Sequence, residues 1–261
     1  MKNLSETKEF PDVQGRKDNK GITLAKAGIR HFKMLLNVYN KDKGMQHVTA
    51  EISIYTSLIA EKKGVHLSNL MDALHTCASC TIDRENVRRI LETAKGDADK
   101  AFVEMEFFYF IEKAAPVSKT KSMLDYKCRI VAELGEAYDF VIEADVPVIT
   151  LCPDSKEISK YGAHNQRNTV TIKAKGNGIW FEDLIQHAEK NASCDIYQIL
   201  KKEDDKYVSE TMYENPQFAE DLVRNVVVSM KKDTRISWFS VETESLESNH
   251  NYNAYAAFEM R

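Results

Sequence analysis

Cys152 and His164 are the residues whose types and spacing most directly carry chemistry in this chain. They lie in the stretch LCPDSKEISKYGAHNQR, Leu151 to Arg167, with eleven residues between thiol and imidazole. Thiolate and imidazole are preferred ligands of zinc and similar borderline metals. Runs of strand character bracket the stretch, AYDFVIEADVPVIT before it and NTVTIKAK after it. Loops hung between rigid strands are where binding and catalytic groups tend to sit. One Cys-x11-His pair is not diagnostic, since a core cysteine and a surface histidine that never meet have the same spacing.

Three acidic or imidazole-bearing segments could join that pair. Glu220 lies about 200° around a helix from Phe218 and so falls off its apolar stripe. It is either a solvated surface carboxylate or one presented to a ligand or another subunit. A bidentate carboxylate would suit the N–H and exocyclic amine edge of guanine. The run Asp204-Asp205-Lys206 reads as a hydrophilic turn, and a carboxylate from it reaches a metal only if folding brings it to Cys152. Glu247 and His250 stand in a polar cluster, ESNHNYN, beside a strand.

The elements that must hold these groups follow from periodicity. HVTAEISIYTSLI puts Val48, Ala50, Ile52 and Ile54 on one face, the period of a strand. GITLAKAGIRHFKMLLNVYN precedes it across a turn-rich NKDKG, which fits a hairpin. Two helical patches are expected next, LSNLMDALHT and a longer one over about 83–113. SMLDYKCRIVAEL and EAYDFVIEADVPVIT then alternate and pair through Gly135. After NTVTIKAK come a helix at WFEDLIQHAEKN and another opening at Asn215-Pro216, with Phe218, Leu222, Val226 and Met230 on one stripe. RISWFSVETES and NYNAYAAFEM close the chain as strands. Strands, helices and strands, twice over, make an α+β protein with internal duplication of structure.

Composition narrows the class. The chain has 261 residues, 43% hydrophobic and 29% charged, enough apolar material for a sizeable core. A net charge of −4 gives no support for nucleic-acid binding. No apolar run approaches the roughly 20 residues of a membrane span. The polar N-terminus lacks the apolar region of a secretory signal, so a cytoplasmic location is expected. Five cysteines, an odd number, do not form a disulfide framework. Cys77 and Cys80 form a lone Cys-x2-Cys without a second pair, and Cys128 falls on the inward phase of a strand.

LCPDSKEISKYGAHNQR, ASCDIYQILKKEDDKYVSETMYENPQFAEDLVR and ESNHNYNAYA, with PDVQ and KKGVHLSNL nearer the N-terminus, resemble the type IB GTP cyclohydrolases. The similarity runs in order from about Pro11 to the C-terminus. It implies a tunnelling fold of two tandem ββααββ modules, here 21–150 and 151–261 after an N-terminal arm over 1–20, in one integrated body. It implies a homotetramer with interfacial active sites and one divalent metal per site, zinc, iron(II) or manganese. The implied reaction is hydrolysis of GTP to 7,8-dihydroneopterin triphosphate and formate, an entry step to folate and related pterins. The family's metal ligands fall on Cys152, His164 and Asp205. Its purine-anchoring, catalytic glutamate falls on Glu220, a site histidine on His250, and Glu247 becomes a polar partner. Lys156, Arg167 and His66 are candidates for the triphosphate by charge and position.

Four positions depart from the family pattern. Asp154 replaces the second cysteine of Cys-Pro-Cys-Ser; a carboxylate cannot do thiol chemistry but can accept protons or approach a metal. Asp205 replaces glutamate and reaches about 1.5 Å less far. Tyr252 stands where a second histidine is usual and would meet substrate, although a phenol of pKa near 10 shuttles protons poorly at neutral pH. Asn69 replaces the arginine after His-Met-Ser. These changes leave two alternatives to a working GTP cyclohydrolase. One is a divergent paralogue that acts on another purine nucleotide or stops after ring opening. The other is a non-catalytic purine- or pterin-binding protein.

Overall fold

A computed structural model describes residues 11–76 and 79–261, so the Cys77 end of the Cys-x2-Cys pair lies outside the described residues. Seven pairings, all antiparallel, join eight long strands in one sheet. They are β1 (Leu24–Asn40), β2 (Gly44–Leu58), β4 (Ala101–Ala114), β5 (Lys121–Leu134), β6 (Tyr138–Leu151), β7 (Asn165–Gly176), β9 (Ile236–Leu246) and β10 (Asn253–Glu259). Two-residue strands extend the sheet, β3 (Thr81–Ile82) on β1 and β8 (Cys194–Asp195) on β6. The long strands lie in chain order. Helices α1 (Leu67–Thr76) and α2 (Arg84–Lys95) interrupt them once, and α4 (Phe181–Glu189), α5 (Lys202–Glu214) and α6 (Ala219–Lys231) a second time. The short α3 (Pro153–Ile158) follows β6. In element order the second set opens with β6, so the turn at Gly135, not residue 150, stands between the sets. No helix among the described residues is long and apolar enough to cross a membrane.

Alternation builds the core. Cross-strand register sets Phe107, Cys128, Ala144, Ile172 and Val241 in one row, all buried. Val48, Ala50, Ile52 and Ile54 lie buried as their spacing predicts. Helices α2, α4 and α6 pack on the strands beneath them. Phe181 on α4 is fully buried, with ring centroids 4.8 Å from Trp180, 5.3 Å from Tyr109 and 5.6 Å from Phe107.

Three expectations are corrected. The helix expected over 83–113 ends at Lys95, because Gly96 turns the chain with φ of 47°. The rest is β4, where Val103, Met105, Phe107 and Tyr109 alternate inward. The run KKEDDKYVSE is not a turn but the first part of α5, whose N-terminal N–H of Lys201 is accepted by Asp204 Oδ2 at 2.9 Å. The helix expected from Asn215-Pro216 begins at Ala219: Asn215 closes α5, and Phe218 N donates to Asp221 Oδ2 at the start of α6. Leu222, Val226 and Met230 are buried along α6, whereas Phe218, outside the helix, is exposed.

Candidate active site

The backbones of Cys152 and His164 meet because one strand ends where the next begins. β6 stops at Leu151, and Cys152 caps α3 with Pro153 in its first turn, a position that needs no N–H. Cys152 Sγ accepts the N–H of Ser155 at 3.3 Å. The chain returns through Gly162 at φ 129°, and Cys152 N donates to His164 O at 3.1 Å, one pair beyond the β6–β7 ladder. Ser155 Oγ donates to Cys152 O at 3.1 Å and accepts His164 N at 3.3 Å, pinning both residues. The β6–β7 register sets Cys152 and His164 side by side along the backbone.

The inner face of the sheet changes character at this end. Here the buried rows hold Thr150, Gln166, Asn168, Thr243 and Ser245, against Asn40, Ser53 and Thr56 on β1 and β2. Gln166 Nε2 lies 3.1 Å from His164 Nδ1 and donates to Glu247 Oε2 at 3.0 Å. Glu247 Oε1 accepts from Ser245 Oγ at 3.2 Å. The Asn249 amide stands 3.5 Å from the other ring nitrogen of His164. A hydrogen-bonded line therefore ties the loop after β9 to the imidazole. Gln217 N donates to Leu151 O at 3.0 Å, which seats the start of α6 beside the residue preceding Cys152. Glu220, three residues later, is exposed in the first turn of α6.

The remaining candidates are not drawn into this cluster. His250 and Tyr252 stack on each other, centroids 4.7 Å apart and 12° between planes, on the exposed loop that carries Glu247 and Asn249. Asp154 and Arg167 are exposed. Lys156 Nζ donates to the Tyr213 carbonyl and lies 4.4 Å from that ring's centroid. His66 sits elsewhere, 3.5 Å from Asp12, in a cavity of about 350 Å³ that Asn69 and Lys62 also line. Asp205 is exposed on α5, while its neighbour Asp204 is fully buried and takes the N–H groups of Val117 and Ser118 at 2.9 and 2.8 Å. Burial would raise the Asp204 pKa, but these bonds hold its carboxyl well below the usual range. Among the described residues no three of His, Cys, Asp and Glu are set closely enough to hold a metal. Gln166, Asn249 and Thr150 are site residues that motif reading missed.

A family model described as type I GTP cyclohydrolase FolE2 matches residues 10–256. The chain belongs to that family. It is thereby an enzyme of the GTP cyclohydrolase class. The GTP cyclohydrolase FolE2 of Thermotoga maritima is 45% identical over 251 residues, 95% of this chain and 96% of that protein. The FolE2 of Thermosipho africanus is 43% identical over 249 residues, 94% of this chain and 96% of that protein. Among solved structures, a highly active BTUO mutant superposes with a TM-score of 0.50 at 7% identity, covering 92% of this chain and 99% of that one. At that identity the likeness speaks for the fold alone, the tunnelling fold, consistent with the ten-stranded sheet and its helices. The matched span takes in the whole cluster from Leu151 to Tyr252.

Proposed function

We propose that this FolE2-family chain is a type IB GTP cyclohydrolase that opens the guanine imidazole ring at C8, releasing formate and giving 7,8-dihydroneopterin triphosphate. The observation that carries the proposal is the juxtaposition of Cys152 and His164 at the polar end of the sheet. Their donors suit a divalent ion in kind, thiolate and imidazole first and a carboxylate third. Cys152 and His164 are adjacent. Asp205 lies seven residues before Met212 on α5, hence on the same helix face and about 10 Å away along the axis. Met212 Sδ is 3.4 Å from Asn165 Nδ2, which sets that face toward β7. Cys152, His164 and Asp205 would hold the metal, and Asp205 must still approach. Zinc, iron(II) or manganese held there would supply Lewis acidity and lower the pKa of a water.

The chain's own groups do the rest. Glu220 accepts hydrogen bonds from the N1–H and 2-amino group of guanine, a bidentate fit that orients the ring. His250 moves protons through its ring nitrogens as the imidazole ring of the substrate opens, with Tyr252 stacked beneath it. Asp154, exposed in the first turn of α3, accepts protons at its carboxylate. Lys156 and Arg167 offer cationic contacts for the triphosphate, and His66, in a separate cavity of the same chain, would reach it only from a neighbouring subunit. If Glu220 anchors the purine, ATP, which lacks both donors, should be turned over at least about 10²-fold less efficiently than GTP. Equal consumption of the two nucleotides would overturn this assignment.

Two further outcomes bear on the proposal. If Asp154 and Tyr252 slow the reaction relative to the family pattern, Asp154→Cys combined with Tyr252→His should raise GTP turnover, read as formate released per minute. An unchanged or lower rate would show that these side chains do not limit this enzyme. The sheet also exposes Leu35, Phe108 and Phe110, apolar surface consistent with a homotetramer. Light scattering should give the mass of four chains of 29.8 kDa, and a monomer at working concentration would contradict it.

A further inference from the structure

Gln166 is a buried amide at the centre of a directional hydrogen-bond line, and the chemistry of its partners leaves one orientation. It is only 6% exposed. The ionised carboxylate of Glu247 has no hydrogen to give, so the Gln166 group 3.0 Å from Oε2 must be the NH₂. The opposite end agrees: Thr150 Oγ1, which accepts Asn168 Nδ2 at 2.7 Å, donates to Gln166 Oε1 at 3.3 Å. Asn168 Nδ2 also faces the Gln166 carbonyl at 3.5 Å, an acceptor only, so the line runs Asn168, Thr150, Gln166 with donors pointing toward Glu247. The second hydrogen of the same NH₂ then faces His164 Nδ1 at 3.1 Å. A ring nitrogen that receives an N–H must offer a lone pair.

We infer that Gln166 is a positioning residue that, held by Glu247, locks the neutral His164 ring as its Nε2–H tautomer in the metal-free protein. The consequence deepens the proposed function. A ring nitrogen that ligates a metal carries no hydrogen. Ligation through Nε2 therefore requires the ring hydrogen to move to Nδ1 and the Gln166 amide to turn its oxygen toward it. Because Glu247 lies on the loop that bears His250, the release of Gln166 couples that loop to the readiness of His164. Metal-site histidines usually depend on such a partner at the second nitrogen; here the partner is poised in the opposite sense.

The test reads the ring directly. Metal-free protein labelled with ¹⁵N-histidine is studied by NMR at about pH 8, above the ordinary imidazole range. The ¹⁵N shifts of a neutral ring report which nitrogen holds the hydrogen. In the unsubstituted protein His164 should be Nε2–H by roughly tenfold or more: the other tautomer sets Nδ1–H against the buried Gln166 NH₂, which Glu247 holds in place, whereas the exposed Asn249 amide, 3.5 Å from Nε2, turns its oxygen to accept Nε2–H. Gln166→Leu should bring the two tautomers within about threefold of each other. Glu247→Gln, which keeps the shape and lets the amide turn, should do the same and serves if the leucine variant does not fold. A predominant Nδ1–H in the unsubstituted protein, or a ratio unmoved by the variants, would overturn the inference. The readout needs neither metal nor GTP. A protein inactive on GTP but with the predicted ratio would sink only the proposed function, and turnover with an unbiased ring would sink only this inference.

Discussion

Cys152→Ala should abolish bound metal and lower GTP turnover by at least about 10³-fold, roughly 4 kcal/mol of transition-state stabilisation. The substitution removes one donor and little else. The backbone of residue 152 is fixed by its bond to His164 O and by Pro153 in the next turn, neither of which needs the thiol. Ser155 N loses Sγ as its acceptor, a capping loss of about 1 kcal/mol at a short helix. Cys128 cannot substitute: it is buried in the core row, and burial pushes its thiol well above the ordinary range. Cys194 is likewise buried, its thiol pushed up to about 11. Metal analysis of the purified variant and formate release check the two halves together. Full turnover by a metal-free variant would exclude a metal held by Cys152.

Phe181→Ala should cost about 3–5 kcal/mol of stability, the range for deleting a fully buried aromatic side chain. Its ring lies within 6 Å, centroid to centroid, of Trp180, Phe107 and Tyr109, so the void would be lined by rigid rings that collapse poorly. The effect reaches the site because α4 packs on β6 and β7, the strands whose adjoining ends carry Cys152 and His164. Denaturant unfolding of the full chain should show a lower midpoint with an unchanged slope. A loss below about 1 kcal/mol would mean that the pocket refills and that α4 does not anchor this end of the sheet.

What the chain disclosed before folding depended on whether one physical signal acted alone. Val48, Ala50, Ile52 and Ile54 alternate between polar neighbours, and they are buried in β2 as that period requires. Residues 101–114 carried two signals at once. Their alanine, glutamate and phenylalanine content fits a helix, whereas Val103, Met105, Phe107 and Tyr109 fit a strand, and Gly96 was the break that separated them from α2. The run from Lys201 to Glu210 looked like a turn because it is almost wholly charged; it is helical because Asp204 caps it and docks it to the loop at Val117 and Ser118.

The site divides in the same way. Cys152 and His164 were legible as residue types, but only the β6–β7 register makes them neighbours. Gln166 and Asn168 share the inward phase of Val170 and Ile172, and two amides in an apolar phase were a signal that motif reading passed over. Asp204 and Asp205 could not be told apart by sequence. Adjacent residues on a helix point about 100° apart, so one is sealed in the fold while the other remains free to approach a ligand.

The central claim, hydrolysis at C8 of GTP, is tested most directly with GTP carrying ¹³C at that carbon and protein loaded in turn with zinc, iron(II) and manganese. With at least one metal, the label should leave as formate while an unlabelled pterin, fluorescent after oxidation, accumulates in equal amount. Label retained in the pterin, formate without pterin, or GTP unchanged under all three metals would contradict it.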